Sequence, residues 1–488
     1  MKVNSIIWLR RDLRLYDNAA LFHALKNSDQ VFTVFIFDTH ILNKLKNKKD
    51  RRIEFILKSL KEIKENLNKQ GSDLIIEKGE PETLIPNLIK EYKCDSLYIN
   101  RDYEAYAQER DNSITEILSK KQVKTFAFKD QVLFECDEIL TQSNKPYTVF
   151  TPYKNNHLKK LNEEGIDLYK CEDHKSNFAK FTHKPLPSIE ELSFEKTNLE
   201  ELDLPTGTSG GKKLLEKFYK NIKIYSKSRN YPAVRGVSYL SVHNRFGTLS
   251  IRHLAKMAIE ADNDGASTWL SELIWRDFYF QIIANFPHVS KNKSFKPQFE
   301  NLQFENDEKK FEAWKNGLTG FPIIDAAMKQ INQTGYMHNR LRMIVSSFLV
   351  KDLLIDWRWG EQYFQDNLID FDFSANNGGW QWAASTGCDS QPYFRIFNPI
   401  LQSEKFDKDG LFIKKYLPQL EPLSSKQIHQ PWMHFEKNTD TFPIKLGEDY
   451  PFPIIDHSKQ RDKALAMYKA CKCFLATLIK KIIINRPE

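Results

Sequence analysis

The sequence predicts an N-terminal α/β domain built on a doubly wound parallel sheet, followed by an all-α C-terminal domain. Two observations predict this division. Short β-branched or aromatic runs alternate with amphipathic helical stretches through the first third of the chain, as in βαβ units. Beyond residue 211 the apolar residues recur at helical spacing, without a run of alternating strands. The 488 residues fit two or three domains of about 150 residues each.

Five runs in the first third have the composition of strands. They cover residues 5–9, 32–37, 73–77, 96–100 and 124–128. Between the second and third runs, residues 50–70 carry apolar side chains at helical spacing, which predicts one buried stripe: Ile53, Ile56, Leu57, Leu60, Ile63 and Leu67. The predicted fold is Rossmann-like, but it lacks the GxGxxG and GxxxxGK(S/T) loops that hold nucleotide phosphates at the first strand-helix turn.

The domain limits follow from changes in composition. A polar segment from about 162 to 211 contains several prolines and the Gly210-Gly211 pair, as expected of a linker. We predict the α/β domain over 1–135, a linker over 136–210, the helical domain over 211–470 and a basic, apolar tail over 471–488. Within the helical domain, periodicity predicts helices over 251–260, 269–285, 323–333 and 339–355.

The overall composition excludes several classes of protein. With 41% hydrophobic and 28% charged residues, the chain is neither disordered, fibrous nor membrane-embedded. The net charge of +8 is compatible with a polyanionic partner and equally with solubility alone. The six cysteines form no CxxC pair and are interpreted as reduced thiols. No signal peptide or membrane span is evident, so we expect a soluble, cytoplasmic protein without a metal site.

Tryptophan is concentrated in the helical domain, where seven of nine lie between Trp269 and Trp382. In residues 269–279, helical spacing puts an acid, an indole, a cation and a phenol on one face: Glu272, Trp275, Arg276 and Tyr279. One interpretation is a solvated face with an incidental indole. The other is a cavity wall, where the indole stacks on a flat ring and the carboxyl group hydrogen-bonds to it.

A second cluster covers residues 336–343. One helix face holds Asn339, Arg340 and Met343, whereas Arg342 lies about 200° around the helix from Arg340. The two arginines must therefore serve different partners. One can meet phosphates while the other pairs with an acid of the next cluster, although two surface arginines would show the same spacing.

The third cluster covers residues 370–385. It contains two acids, Asp370 and Asp372, and two indoles, Trp380 and Trp382, among small residues that let a planar group approach the backbone. The indoles could simply be core residues. However, three amides would be awkward core neighbours without a polar ligand: Asn376, Asn377 and Gln381.

Five motifs occur in order along both predicted domains. They are WLRRDLRLYDN (8–18), TWLSELIWRDFY (268–279), GYMHNRLRMIVSSFLVKDLLIDWR (335–358), ANNGGWQWAASTG (375–387) and PYFRIFNP (392–399). From about residue 3 to 470, the chain resembles the photolyase/cryptochrome flavoproteins, and within them the class I cyclobutane pyrimidine dimer photolyases. The resemblance implies an α/β domain that holds an antenna chromophore and a helical domain that holds FAD and binds DNA.

The activity that this resemblance implies is light-dependent DNA repair by a carbon-carbon lyase. The active cofactor is the two-electron-reduced FAD anion, which donates an electron under blue light to a flipped-out pyrimidine dimer. The cyclobutane bonds break and the electron returns to the flavin. The expected partner is DNA containing pyrimidine dimers, and we expect a monomer.

By the same resemblance, a set of positions matches the flavin site: Tyr225, Val237, Ser238, Tyr239, Leu240, Ser241, Trp269, Arg342, Asp370, Phe371, Asp372 and Asn376. Asn376 matches the residue that faces flavin N5, where an amide stabilises a reduced flavin without adding negative charge. Val237 departs from the family, which usually has a hydroxyl residue there, and removes one potential phosphate hydrogen bond.

The residues that match the dimer pocket, and with Asn376 form the predicted catalytic set, are Glu272, Trp275, Asn339, Met343 and Trp382. A base must leave the stack to be reached by an enzyme, and the two indoles would stack on the flipped dimer while Glu272 hydrogen-bonds the thymine edge. Four of these pocket residues are also expected to contact DNA: Glu272, Trp275, Asn339 and Met343. Further DNA contacts match Arg229, Arg276, Arg340 and Gln402.

The chain departs from the family in its electron-transfer tryptophans. Trp380 and Trp357 match the proximal and middle members of a three-indole chain, but the distal position is Phe304. A phenyl ring is much harder to oxidise than an indole. We therefore predict that photoreduction of the flavin is slowed or rerouted, with dimer repair intact. Trp359 is the candidate exit, although the same position would also suit a surface or packing indole.

The antenna is predicted from missing signatures. Folate-binding relatives use a His in the loop after the second strand and an Asn-Glu pair after the fourth. Here residues 44–50 read KLKNKKD and residues 100–109 read NRDYEAYAQE, so folate is disfavoured. The segment resembles the deazaflavin or flavin-antenna versions of the family. Of these we predict 8-hydroxy-5-deazaflavin, in a pocket lined by Arg51, Asp102 and Glu104.

Three other functions compete with dimer repair. A cryptochrome photoreceptor without repair is the main alternative, but plant-type receptors have Asp in place of Asn376 and a long tail. A (6-4) photolyase would need His where this chain has Asn339 and Met343. A flavin-dependent nucleic-acid-binding protein without catalysis would not need the dimer pocket.

Overall fold

The computed structural model describes residues 3–437 and 441–484, with side chains up to residue 471. Contacts divide the chain into two compact units. The first comprises Met1–Ser226, Val237–Asn285 and Ile369–Ser374, and the second comprises Lys227–Gly236, Phe286–Leu368 and Ala375–Glu488. No helix among the described residues has the length and apolar character needed to span a membrane.

The first unit is built on a parallel sheet, which has five strands within the described residues and the order β3-β2-β1-β4-β5. The strands are β1 (Asn4–Leu9), β2 (Gln30–Asp38), β3 (Leu74–Gly79), β4 (Ser96–Asn100) and β5 (Lys124–Phe128). In the central register, Ile6 lies opposite both Phe32 and Leu97. The strand positions predicted from sequence are confirmed to within three residues at either end.

The helices up to residue 285 are α1 (Ala19–Asn27), α2 (Thr39–Leu42), α3 (Arg51–Asn68), α4 (Pro81–Glu91), α5 (Ala105–Ser119), α6 (Phe150–Glu164), α7 (Gly207–Tyr219), α8 (Tyr225–Ser228), α9 (Ser241–Phe246), α10 (Ile251–Ala261) and α11 (Asp264–Asn285). Both faces of the sheet are covered, because successive side chains of a strand point to opposite faces. On β1, Ile7 and Leu9 pack with α1 and α3, whereas Ile6 and Trp8 pack with α4 and α5. This is the doubly wound arrangement that the sequence predicts.

The helices beyond residue 285 are α12 (Glu308–Asn316), α13 (Pro322–Thr334), α14 (Asn339–Lys351), α15 (Trp357–Asn367), α16 (Phe373–Ala383), α17 (Pro399–Phe406), α18 (Leu411–Tyr416), α19 (Pro431–Phe435) and α20 (His457–Ile484). Apart from an isolated bridge between Leu446 and Tyr450, the regular elements of the second unit's described residues are helices, as predicted. The predicted helix over 339–355 ends at Lys351, because Leu354 adopts a left-handed backbone with φ 54°.

The two units follow different limits from the predicted domains. Helices α10 and α11 belong to the same unit as the sheet, and the predicted linker 136–210 contains α6. Four side chains of α6 are buried at helical spacing: Phe150, Tyr153, His157 and Leu161. The tail predicted over 471–488 continues α20 as far as Ile484, and residues 485–488 lie outside the described part. The domain limits themselves stay predictions.

Candidate functional site

Asp372 lies in a buried cluster of charges in the first unit. One of its carboxylate oxygens accepts a hydrogen bond from the guanidinium of Arg11, at the end of β1, and the other accepts from Ser374 Oγ at 2.5 Å. Burial alone would raise the pKa of Asp372. The guanidinium groups of Arg11, Arg245 and Arg276 instead hold this pKa well below its usual range. Asp372 is therefore a fixed anion surrounded by cations.

Arg276 is directed toward the same cluster. Its guanidinium donates to the backbone carbonyl of Gln131 and lies 4.7 Å from the ring centre of Phe280. Burial lowers the pKa of Arg276. The DNA contact expected of this residue stays a prediction, and in this structure its guanidinium group is engaged within the first unit.

The segment predicted to hold the cofactor phosphates has a backbone conformation that suits an anion. Tyr239 adopts a left-handed conformation with φ 57°, and Leu240 follows with φ −93° and ψ 1°. Consecutive residues of this kind aim their N–H groups into one concavity, which favours an anion. The Leu240 amide makes only a long contact, 3.4 Å, to Ser238 Oγ. Within the described residues, the buried Oγ of Ser241 has no hydrogen-bond partner. These residues fit the phosphate groups of a dinucleotide cofactor such as FAD.

Two aromatic residues of the predicted flavin set in the first unit, Tyr225 and Trp269, share one neighbour. The rings of Tyr225 and Trp269 both meet Phe218 edge-on, with ring centres 5.5 Å and 4.9 Å away. Both residues are buried. Asp370 is buried as well, and Phe371 is half-buried. The structure therefore brings Tyr225 and Trp269 together around a single phenyl ring.

Helix α11 holds the predicted dimer-pocket residues of the first unit. Trp275 is half-buried, and its indole stacks on Phe150 of α6 with ring centres 3.6 Å apart and planes 9° from parallel. Tyr279 packs on the same indole at 5.4 Å. Glu272 is half-buried one turn earlier on the helix. Stacking on Phe150 fixes the plane of the Trp275 indole.

In the second unit, α14 begins beside a group of arginines. His338 caps the helix by accepting a hydrogen bond from the Arg340 amide at 3.1 Å. Burial, together with the charges of Arg340, Arg342 and Arg229, lowers the pKa of His338 to about 4. Three predicted ligand-binding arginines of this unit therefore lie near one neutral imidazole. Asn339, the first residue of the helix, is exposed.

The two arginines of α14 have different environments, as their spacing predicts. Arg340 donates to the side chain of Asn230 at 2.6 Å and lies 4.4 Å from the ring centre of Phe406. Arg342 donates through Nε to the carbonyl of Met337 at 2.8 Å. The remaining predicted contacts of this unit are all half-buried: Arg229, Met343, Trp382 and Gln402.

Asn376 is held by the backbone of α15. Its Nδ2 donates to the carbonyl of Glu361 at 3.1 Å, and the neighbouring Asn377 donates to the Glu361 carboxyl group at 2.9 Å. Burial raises the pKa of Glu361 to about 7. Because the amide nitrogen of Asn376 is engaged, its orientation is fixed. Glu361 therefore positions the residue predicted to face flavin N5.

The predicted electron-transfer residues lie on α15 and α16. Trp380 and Trp357 are fully buried, and Trp359 is half-buried. Gly360 lies against the Trp380 indole so closely that a Cβ there would overlap the ring. Phe304 packs against Phe299, Leu302 and Tyr468. The glycine allows α15 to pass directly beside the proximal indole.

The three residues predicted to line the antenna pocket have different neighbours in the structure. Asp102 and Glu104 bind the guanidinium of Arg11, at 3.4 Å and 2.8 Å. Arg51 instead donates to the side chain of Asn198 at 2.7 Å and lines an open cleft of about 410 Å³.

Sequence reasoning missed two residues of the site, Arg11 and Glu361. Arg11 lies in the first of the five motifs, but its partner Asp372 is 361 positions away, and no local pattern predicts such a pair. Glu361 lies 15 residues before Asn376. The sequence does carry one signal for Glu361: it is an acid on the otherwise apolar, buried face of α15.

Comparison with known proteins covers both units. Residues 5–172 match a family model described as DNA photolyase, and residues 269–470 match one described as the FAD binding domain of DNA photolyase. A deoxyribodipyrimidine photo-lyase of Vibrio cholerae is 38% identical over 485 residues, which cover 96% of this chain and 99% of that protein.

Two solved structures share the fold. The class III photolyase of Agrobacterium tumefaciens has a TM-score of 0.89 and 34% identity, and the match covers 97% of this chain and 98% of that one. An archaeal photolyase from Sulfolobus tokodaii, solved with two FAD molecules, has a TM-score of 0.79 and 32% identity, covering 96% and 100%. Given these matches along almost its whole length, the chain belongs to the photolyase/cryptochrome family and carries that family's FAD-binding domain.

Proposed function

We propose that this protein is a light-dependent DNA-repair enzyme that splits cyclobutane pyrimidine dimers. The observation that carries the proposal is the division of burial among the tryptophans. The two indoles predicted to stack on the lesion, Trp275 and Trp382, are half-buried, whereas Trp269, Trp357 and Trp380 are buried. An indole that receives an incoming base must keep one face accessible, while an indole beside the flavin or within the protein need not.

When bound, reduced FAD supplies the blue-light-driven electron that opens the cyclobutane ring and then recovers it, so that no net redox change results. The backbone of Tyr239 and Leu240, with the hydroxyl of Ser241, would hold the phosphates of this cofactor. Arg342, Asp372 and Trp269 would complete its surroundings in their respective units. Asn376 would present its amide to flavin N5, since Glu361 fixes its orientation.

The dimer would be held by stacking and by one acid. Stacking on Phe150 already fixes the plane of the Trp275 indole. Less side-chain entropy would therefore be lost when a base stacks on it. Glu272, one turn away on α11, would hydrogen-bond the thymine edge. Arg229 and Arg340 would neutralise backbone phosphates, which gives affinity without base readout.

The test is a repair assay on the chemically reduced protein. An oligonucleotide with one thymine dimer is incubated under blue light and in the dark, and recovery of thymine absorbance is followed. Recovery in the light alone is expected. Absence of recovery would remove the repair function and favour the cryptochrome alternative.

Two variants make the assay specific for the pocket. Glu272→Ala should lower the repair yield while retaining FAD, and Glu272→Gln, which keeps a hydrogen-bonding group, should lower it less. Loss of bound FAD in step with activity would show that Glu272 serves the cofactor rather than the dimer.

We also propose that the antenna is 8-hydroxy-5-deazaflavin rather than folate. The proposal rests on the absence of the folate signatures in residues 44–50 and 100–109. Reconstitution of the apoprotein with each chromophore, followed by fluorescence energy transfer to FAD, tests it. Transfer from folate and not from deazaflavin would contradict the proposal.

A further inference from the structure

Two features of the second unit disfavour electron exit through the predicted middle indole. Phe304, at the distal position, is a phenyl ring that an indole radical does not oxidise. In addition, the guanidinium of Arg358 lies 4.7 Å from the ring centre of Trp357. A cation in contact with the ring disfavours a second positive charge there. The carboxylates of Asp356 and Glu300 bind this guanidinium and weaken the effect, but the cation is the group on the ring.

Tyr468, which packs in the same cluster as Phe304, does not replace the missing indole. It is fully buried, and its hydroxyl donates to the backbone carbonyl of Ala384 at 2.6 Å. Oxidation of a phenol releases its proton, and a carbonyl oxygen is too weak a base to accept it. Tyr468 therefore offers no exit from Trp357.

A different indole adjoins Trp380. Trp314 of α12 is fully buried, and its ring centre lies 6.2 Å from that of Trp380 with the planes 70° apart. Its Nε1 donates to the carbonyl of Val345 at 3.2 Å, which stabilises positive charge on the indole. Trp314 is not one of the residues singled out from the sequence. It is nevertheless in edge contact with the proximal indole.

From Trp314 an aromatic path leads to the surface. Phe311 stacks on Trp314 with ring centres 5.9 Å apart, and it also meets Trp359 edge-on at 5.2 Å. Trp359 is half-buried and lines an open cleft of about 610 Å³. The cleft is rimmed by Lys309 and Lys315 and by two acids. A small solute can therefore reach the last indole of this path.

Tyr363 also adjoins this path, 5.6 Å from Trp314. Its hydroxyl donates to the side-chain oxygen of Asn332 at 2.6 Å. Burial raises the pKa of Tyr363 to about 12. An amide oxygen does not accept the proton that phenol oxidation would release, so Tyr363 is a spectator.

We propose that photoreduction of this protein's flavin runs from the cleft through Trp359 and Trp314 to Trp380, bypassing Trp357. The inference deepens the proposed function and rests on it for the place of Trp380 beside FAD. The excited oxidised cofactor takes one electron from Trp380. Trp314 then reduces Trp380, and Trp359 reduces Trp314 across the ring of Phe311.

The electrons and protons of this sequence balance at Trp359, the last indole of the path. The oxidised Trp359 loses its Nε1 proton to water and recovers one electron and one proton from a soluble thiol, two of which end as a disulfide. A second passage of the same kind completes two-electron reduction. Trp314 and Trp359 are thus electron-relay residues for cofactor activation, and they take no part in dimer splitting.

Three matched substitutions test the path, each replacing an indole with a phenyl ring: Trp314→Phe, Trp359→Phe and Trp357→Phe. The oxidised FAD-loaded proteins are illuminated with dithiothreitol, and the decay of oxidised flavin absorbance is followed. Flash absorption records the long-lived indole radical. We expect at least a fivefold loss of photoreduction rate in the Trp314 and Trp359 variants and less than a twofold loss in the Trp357 variant. A loss in the Trp357 variant that equals or exceeds those of the other two would overturn the path.

The FAD-to-protein ratio controls for folding. Trp359 is half-buried, so its variant should fold even where the Trp314 variant does not, and its comparison with Trp357→Phe then decides the question. Adding the missing indole offers a second test. Phe304→Trp combined with Arg358→Gln in the Trp314→Phe background removes both features and should recover at least half the wild-type rate through Trp357. A combined variant as slow as Trp314→Phe would contradict the roles given to Phe304 and Arg358.

Repair by the chemically reduced variants separates this inference from the proposed function. All three single variants should repair dimers like wild type once dithionite has reduced the flavin. If wild type itself fails to repair, the proposed function fails, while the photoreduction rates still decide the electron path.

Discussion

Glu361 should make the stability of the second unit depend on pH. Its pKa rises from 4.5 to about 7 in the folded protein because the carboxyl group is buried. A carboxyl group with a raised pKa contributes stability that is complete below the unfolded pKa and is lost as the pH rises through the folded one. The relevant window therefore runs from about pH 4.5 to about pH 7.

Substitution by Gln isolates this effect. Gln cannot ionise, and its side-chain oxygen can still accept the hydrogen bond from Asn377. From the two pKa values, ionisation of Glu361 costs about 1 kcal/mol at pH 5 and about 3 kcal/mol at pH 8. The free energy of unfolding of Glu361→Gln relative to wild type should therefore increase by about 2.5 kcal/mol from pH 5 to pH 8.

Urea denaturation of both proteins at the two pH values measures this difference. Other titrating groups are common to both proteins and cancel in the comparison. Exposed Glu308→Gln serves as a control that should show no change with pH. A difference between wild type and Glu361→Gln that stays constant to within about 0.5 kcal/mol would refute the burial argument.

Three further outcomes are expected. Arg11→Ala should destabilise the protein by about 3 to 5 kcal/mol in denaturant titration, because it leaves Asp372 buried without its closest cation. A smaller loss would show that Arg11 is not the main partner of Asp372. Gly360→Ala should cost about 1 to 3 kcal/mol and shift Trp380 fluorescence, since the new Cβ overlaps that indole; unchanged stability would mean that α15 can move aside. Arg340→Ala should weaken DNA binding and reduce the slope of log affinity against log salt by about 1, and an unchanged slope would exclude a phosphate contact.

Local patterns predicted the sheet and the helices well. Each of the five strand runs coincides with a strand, and the helix over 50–70 is α3, in which Ile53, Leu60, Ile63 and Leu67 are buried. Burial on both faces of a parallel sheet makes its strands nearly continuous apolar runs, which are easily recognised. The helix α6, by contrast, was missed inside the predicted linker. Its buried positions do follow helical spacing, but polar residues and nearby prolines obscured the pattern.

The candidate site was predictable only where a motif was contiguous. Residues 238–241 could be placed from the resemblance, but their left-handed turn could not, because Tyr239 is not a residue type that favours positive φ. Long-range pairs such as Arg11 with Asp372 depend on the way the chain folds back on itself. Periodicity within one element carries no information on such pairs.

The tryptophans show most clearly what a sequence alone leaves open. Trp314 and Trp359 are both candidates for electron transfer by residue type, and Trp357 has the stronger family match. The ring contacts instead favour Trp314 over Trp357. Trp314 meets Trp380 edge-on, whereas the guanidinium of Arg358 lies over Trp357. If the path through Trp314 to Trp359 supplies the electrons, as we propose, Trp357 need not be easily oxidised, and the guanidinium of Arg358 beside it costs the protein no function.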